Sequence, residues 1–210
     1  MNWRFFLAVM VPSIVFLSAC SQSPNDLRAL YEDAVKAQQA GQMADAQRLF
    51  ERARAEAIRQ GDEIVLADVC NNLGVCYMSE RTSKSEAEAK RLFKQALSLW
   101  TVNQISDSPG LAYCLNNLGT LSLAHNEFLA ARNYLLSSYE IRRKVVGDKN
   151  PALILCCHNL GILEWKTGNP RRCEIWFNRA LSLAEACFGS ASSQADEQRE
   201  ALVLLAKEKE

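Results

Sequence analysis

Four short stretches of this chain repeat one pattern at a nearly constant interval, and that interval constrains the fold more than any other feature. They are Ala46-x-x-Leu49-Phe50-x-x-Ala53, Ala89-x-x-Leu92-Phe93-x-x-Ala96, Ala131-x-x-Tyr134-Leu135-x-x-Ser138 and Cys173-x-x-Trp176-Phe177-x-x-Ala180. Their first positions lie 43, 42 and 42 residues apart. Apolar or small residues at i, i+3, i+4 and i+7 make one stripe of an amphipathic helix. Small residues at both ends of the stripe let a partner helix come close. A period of this length marks an array of supersecondary units, none of which can bury its apolar face alone.

A second helix precedes each of these, marked by Leu73-Gly74, Leu118-Gly119 and Leu160-Gly161, with Asp33-Ala34 as a degenerate first copy. In three copies the small residue stands 12 positions before the first residue of the stripe: 34 to 46, 119 to 131 and 161 to 173. Glycine inside a helix costs about 1 kcal/mol relative to alanine, and close crossing of the two helices of a hairpin gives its recurrence a reason. In the second copy Gly74 to Ala89 is 15 residues, so three extra residues are expected to swell the polar turn from Glu80 to Ser85 into a surface loop. Ser108-Pro109 and Asn150-Pro151 each place a capping residue before a proline, the arrangement of a helix start. Gly41 and Gly168 fall at turns inside hairpins. After Gly189, Ser193 to Glu210 reads as one more helix, with Ala201, Leu202 and Leu205 on its apolar side to cover the end of the array.

This pattern resembles the tetratricopeptide repeat. The 42-residue spacing, Leu115-Asn116-Asn117-Leu118-Gly119 and the run from Tyr139 to Asn150 before Pro151 look most like the kinesin light chain subtype. The resemblance covers residues 27–189, with 190–210 as the capping segment. It implies an all-α fold: a right-handed superhelical solenoid of about four helical hairpins plus a C-terminal capping helix. The first copy departs from the family in lacking the glycine, and the third has Leu135 and Ser138 where the family prefers Phe and Ala.

In the family, the concave groove lined by the first helix of each hairpin holds an extended or helical peptide. The two residues ahead of each Leu-Gly are Asn71-Asn72, Asn116-Asn117 and His158-Asn159, and in the resembling subtype asparagines here face the groove. By that resemblance Asn72, Asn117 and Asn159 form a peptide-binding row, with Asn71, Asn116, His158, Tyr113 and Trp165, and also Asp68 and Leu155, beside it. A carboxamide carries both donor and acceptor and suits an extended backbone. A second reading stays open, in which these asparagines bridge successive helices and hold the array together. The family's clamp for a C-terminal carboxylate uses lysine or arginine on this face. Here the neighbourhood offers Asp68, Asn71, Tyr113 and Asn116, with Lys166 as the single cation, so a C-terminal peptide ligand is not implied.

Met1 to Ala19 reads as a removable leader, with one cation, Arg4, and an apolar run from Phe5 to Leu17 interrupted by Pro12. Those 13 residues fall short of the roughly 20 a spanning helix needs. The segment ends in Leu17-Ser18-Ala19-Cys20, which resembles the lipobox of bacterial lipoproteins. The resemblance implies a signal peptide over 1–19, lipidation of Cys20 with thioether-linked diacylglycerol and an acylated amine, and a tether over 20–26. Ser21 rather than Asp follows Cys20, which in proteobacterial lipoproteins goes with the outer membrane, the body then facing the periplasm. The alternative is an ordinary secretory signal cut nearby, with Cys20 a free thiol.

Lys plus Arg equal Asp plus Glu at 24 each, so there is no basic field for nucleic acid. Of eight cysteines Cys20 goes to lipid, and seven cannot all pair within a monomer. Cys70, Cys114 and Cys157 fall on core faces, where cysteine packs as a small hydrophobe. Adjacent Cys156, Cys157 and His158 do not make a metal site, because neighbouring helical residues diverge by about 100° and no second ligand pair has the right spacing. His125 sits in a predicted turn and His158 has no nucleophile or carboxylate at a partnering position, which argues against an enzyme, and no cofactor is expected. The sequence thus predicts a membrane-anchored, non-catalytic scaffold that binds a protein or peptide partner of the bacterial envelope. The alternative is a self-assembling structural lipoprotein, a homo-oligomer in which thiols such as Cys187 lock copies together.

Overall fold

The computed structural model describes residues 26–207, so Cys20 and the leader lie outside the described residues. Nine helices follow one another among the described residues, with no strand: α1 (Leu27–Gln39), α2 (Met43–Gln60), α3 (Glu63–Ser79), α4 (Ser83–Val102), α5 (Pro109–Ala124), α6 (Phe128–Val146), α7 (Ala152–Lys166), α8 (Pro170–Phe188) and α9 (Ser193–Lys207). Each odd-numbered helix from α1 to α7 is joined to the next by a turn of three residues, 40–42, 80–82, 125–127 and 167–169, which makes four antiparallel hairpins. Gly41 and Gly168 stand in these turns at φ +74° and +73°, the left-handed region a side chain rarely adopts. Among the described residues no helix is long and apolar enough to cross a membrane. The chain forms two compact units that divide between Leu99 and Trp100, inside α4.

In the first unit, the Asp26 carboxylate caps α1 by accepting from Arg28 N at 3.0 Å, and Asp62 caps α3 by accepting from Val65 N at 3.0 Å. Stripe residues Ala46, Phe50 and Ala53 of α2 are fully buried, with Tyr31 meeting Phe50 edge to face at 6.0 Å. Gly74 explains itself: a Cβ there would lie 2.6 Å from Cε1 of Phe93. The glycine seats the phenyl ring of α4, whose burial contributes roughly 1.5–3 kcal/mol.

The expected loop from Glu80 to Ser85 does not form, because α4 begins at Ser83 and the turn keeps its three residues. The extra residues lengthen the start of α4 instead. The cause is local: Thr82 Oγ1 accepts from Ser85 N and Ser85 Oγ accepts from Thr82 N, both at 3.1 Å. This reciprocal cap satisfies amide groups that a loop would leave to water.

In the second unit, Leu123, Leu135, Leu153, Leu160, Leu163 and Phe177 make one core, closed at its end by Ala201 and Leu205 of α9. The two departures in the third copy are accommodated by packing. Leu135 fills the space over Gly119, where a Cβ would lie 2.6 Å from its Cγ and Cδ2. Ser138 is fully buried and donates from Oγ to the Ala112 carbonyl at 2.6 Å, so its hydroxyl strengthens the crossing of α5 and α6. Cys114, Cys156, Cys157 and Cys173 lie in this unit's interior, as Cys70 and Cys76 do in the first. Ser108 Oγ accepts from Gly110 N at 3.1 Å ahead of Pro109, and Asn150 Oδ1 accepts from Ala152 N at 2.9 Å, so both sequence-marked helix starts are capped.

Candidate interaction surface

The first helices of the hairpins carry the residues singled out from the sequence. In the first unit, Asn72 of α3 is buried and its Nδ2 donates to the Tyr31 hydroxyl of α1 at 3.0 Å. Gln38 of α1 adds a second link, from Nε2 to the Asn72 carbonyl at 3.3 Å. Asn71 beside it is also buried. One turn earlier on α3, half-buried Asp68 has its carboxyl held up to about 6, by burial first and then by the negative charge of Asp62. Burial and the Asp68 charge raise the Tyr31 phenol too, against the opposing hydrogen bond from Asn72.

In the second unit, Asn159 of α7 donates from Nδ2 to Asn116 Oδ1 at 3.1 Å and to Thr120 Oγ1 at 3.2 Å, both on α5. Asn116 and Asn159 are 2% and 5% exposed, so no ligand reaches their carboxamides without opening the pair. The two units use one rule. The residue two before the glycine of a first helix, Asn72 or Asn159, reaches the residue three before the small residue of an earlier first helix, Tyr31 or Asn116. The structure therefore places Asn72, Asn116 and Asn159 in ties between first helices.

His158 does not join Asn159. Its Nδ1 lies 2.9 Å from Oε1 of buried Gln198 on α9, and its ring meets Phe177 edge to face at 5.4 Å, which fastens the capping helix. Trp165 is half-buried and packs against the core of the second unit. Tyr113 is half-buried under the Arg142 guanidinium, whose Cζ stands 4.0 Å from the ring centroid. Arg142 is itself 4% exposed and donates from Nη1 to the Ala152 carbonyl at 2.8 Å, so it props Tyr113 from behind. Asn117 and Leu155 are half-buried. Beside these ties the first helices present half-buried Asp68 in one unit and half-buried Tyr113 and Leu155 in the other.

Sequence reasoning missed Tyr31, Gln38, Thr120, Gln198 and Arg142. Tyr31 carried a usable signal, since it stands three before Ala34 just as Asn116 stands three before Gly119. Arg142 and Gln198 carried none, because they reach the first helices from elements outside that register. Among the described residues no group of three or more His, Cys, Asp or Glu is placed to hold a metal ion.

A family model described as tetratricopeptide repeat matches residues 80–144. No curated protein matches the chain. Among solved structures, BtubC (BKLC) from P. vanneervenii is similar at TM-score 0.73 and 19% identity, over 86% of this chain and 72% of that one. A putative kinesin light chain from Podospora anserina with nearly identical TPR-like repeats is similar at TM-score 0.68 and 17% identity, over 89% and 88%. A second crystal structure of that protein, a point variant, gives 0.69 and 18%, over 90% and 88%. With the nine helices and the repeated crossings of the described residues, these likenesses make the fold an all-α, tetratricopeptide-like solenoid.

Proposed function

We propose that this chain is a lipid-anchored, non-catalytic scaffold of the bacterial envelope, fixed to the outer membrane through Cys20 and recruiting a protein or peptide partner on the face of its first helices. One observation carries the recruiting part: buried ties hold the first helices side by side, α1 to α3 and α5 to α7. Such ties order the backbone before any ligand arrives, so half-exposed side chains such as Asp68, Tyr113 and Leu155 are presented at little further entropic cost. The anchoring part is supported by Leu17-Ser18-Ala19-Cys20 and by the short tether behind it.

Photo-crosslinking in membranes tests the recruiting face. A crosslinker at Tyr113 is expected to trap a different envelope protein, while one at Leu136, exposed on α6, is expected to trap little. Adducts only between copies of this chain would overturn the adaptor reading in favour of self-assembly. For the anchor, Cys20→Ser is expected to release the protein from sedimented membranes, and unchanged fractionation would overturn it.

A further inference from the structure

We propose that the edge of the first unit where α2 ends and α1 and α3 begin is a membrane-contacting surface, on which Ile58 and Ile64 enter the lipid headgroup region. The inference rests on the lipid anchor at Cys20 proposed above. Within a unit, antiparallel hairpins put first-helix starts and second-helix ends on one edge. The 13 residues of α1 rise about 20 Å. Running back from the turn at 40–42, α2 returns to the level of Leu27 near residue 55, which leaves Ile58 about one turn beyond it. Ile64 is the second residue of α3, which sets out from the same edge.

These two side chains are 56% and 49% exposed. Single exposed isoleucines are ordinary, but two further observations bear on these. First, the placement repeats: every second helix closes on exposed apolar side chains, Ile58 in α2, Val102 in α4, Val145 and Val146 in α6 and Phe188 in α8. Second, the tether selects the occupant. Ser21 to Asp26 is six residues, a reach of no more than roughly 20 Å, and it enters the fold at the N-terminus of α1. A triacylated Cys20 therefore brings this edge to the bilayer with the tether slack, whereas the edge of the three-residue turns lies about 20 Å further along α1, at the tether's full reach. The contact is apolar and not electrostatic, because Arg28 is held by Glu32 and Arg59 by Glu56, with Asp62 and Glu63 on the same edge.

The test uses the full acylated chain in phosphatidylcholine vesicles whose acyl chains are either plain or brominated, bromine being a short-range quencher of tryptophan. Ile58→Trp and Ile64→Trp report on the proposed edge, and Ala44→Trp, exposed on the opposite edge, is the control. Emission above that of the parent chain is expected to shift to the blue and to be lost with brominated lipid for the first two variants, and to be unchanged for Ala44→Trp. Equal quenching of all three, or none, in protein that floats with the vesicles would overturn this inference while leaving the anchor standing. Failure of the acylated preparation to float at all would overturn the anchor, and this inference with it.

Discussion

Asn159 Nδ2 donates to Asn116 Oδ1 across 3.1 Å, joining α7 to α5 at a depth where both residues are almost wholly buried. Breaking a buried pair of this kind leaves an unsatisfied polar group, which costs about 1–3 kcal/mol. Asn159→Ala is expected to lower stability by that amount. Asn116→Ala should do the same, and the double variant should cost less than the two losses added, because the second truncation removes the orphaned partner. Urea unfolding of the four proteins checks this, and strict additivity would show that the pair is not coupled.

Gly161→Ala pits two effects against each other. Alanine gains about 1 kcal/mol of helix propensity, but its Cβ would lie 2.8 Å from Phe177 Cε1, in a ring held inside the core. Overpacking of this kind costs about 1–3 kcal/mol, so the variant is expected to melt lower than the parent. Gly74→Ala against Phe93 should behave alike, with 2.6 Å to the ring. A rise in melting temperature for either would mean that the ring can move aside.

The first unit should lose stability as pH rises from about 4 to about 6. The folded Asp68 carboxyl is held up to about 6, whereas an unfolded aspartate titrates near 3.9. The folded state thus binds the proton more tightly, and its advantage is complete below the lower value and gone above the upper one. The effect is on the order of 2–3 kcal/mol. Glu56 works in the opposite sense and in a lower window, since hydrogen bonds from Arg59 and Gln60 bring its carboxyl to about 2. Denaturation midpoints between pH 4 and 7 should slope downward for the parent and flatten for Asp68→Asn. An unchanged slope would remove Asp68 from the account.

Thiol reactivity should single out one position. Cys70, Cys76, Cys114, Cys156, Cys157 and Cys173 are buried and Cys187 is half-buried. Burial pushes the Cys76 and Cys157 thiols up to about 12, which removes the reactive thiolate. In native Cys20→Ser protein, a chromogenic disulfide reagent is expected to give one fast phase, abolished by Cys187→Ser, with the remaining thiols reacting only on unfolding. Several fast thiols in the native protein would contradict the burial.

Helix order, hairpin turns and capping residues were legible because they depend on local chemistry: a 3.6-residue stripe, glycine where φ is positive, proline after a cap. Glu80 to Ser85 was misread for the same reason. Its polar composition suits a loop, yet Thr82 and Ser85 cap one another and convert it to helix. The asparagines could be located but not assigned. Their spacing puts Asn116 and Asn159 on equivalent turns, and only the inter-helix distance tells a free carboxamide from a tied one. His158 looked like their equal in the alignment, but its partner Gln198 belongs to α9, which lies outside the repeat.

The constant offset of the ties bears on how such an array can change length. A hairpin gained in register would bring its own donor only where its first helix carries an asparagine at that offset, as α3 and α7 do and α1, with Glu32 there, does not. Extra residues are tolerated where they do not disturb that phase, as at the start of α4, one helix end away from Asn72. A shift within α3 or α7 would carry Asn72 away from Tyr31, or Asn159 away from Asn116. The hydrogen bonds that stiffen the face thereby also fix the unit in which the chain can be edited.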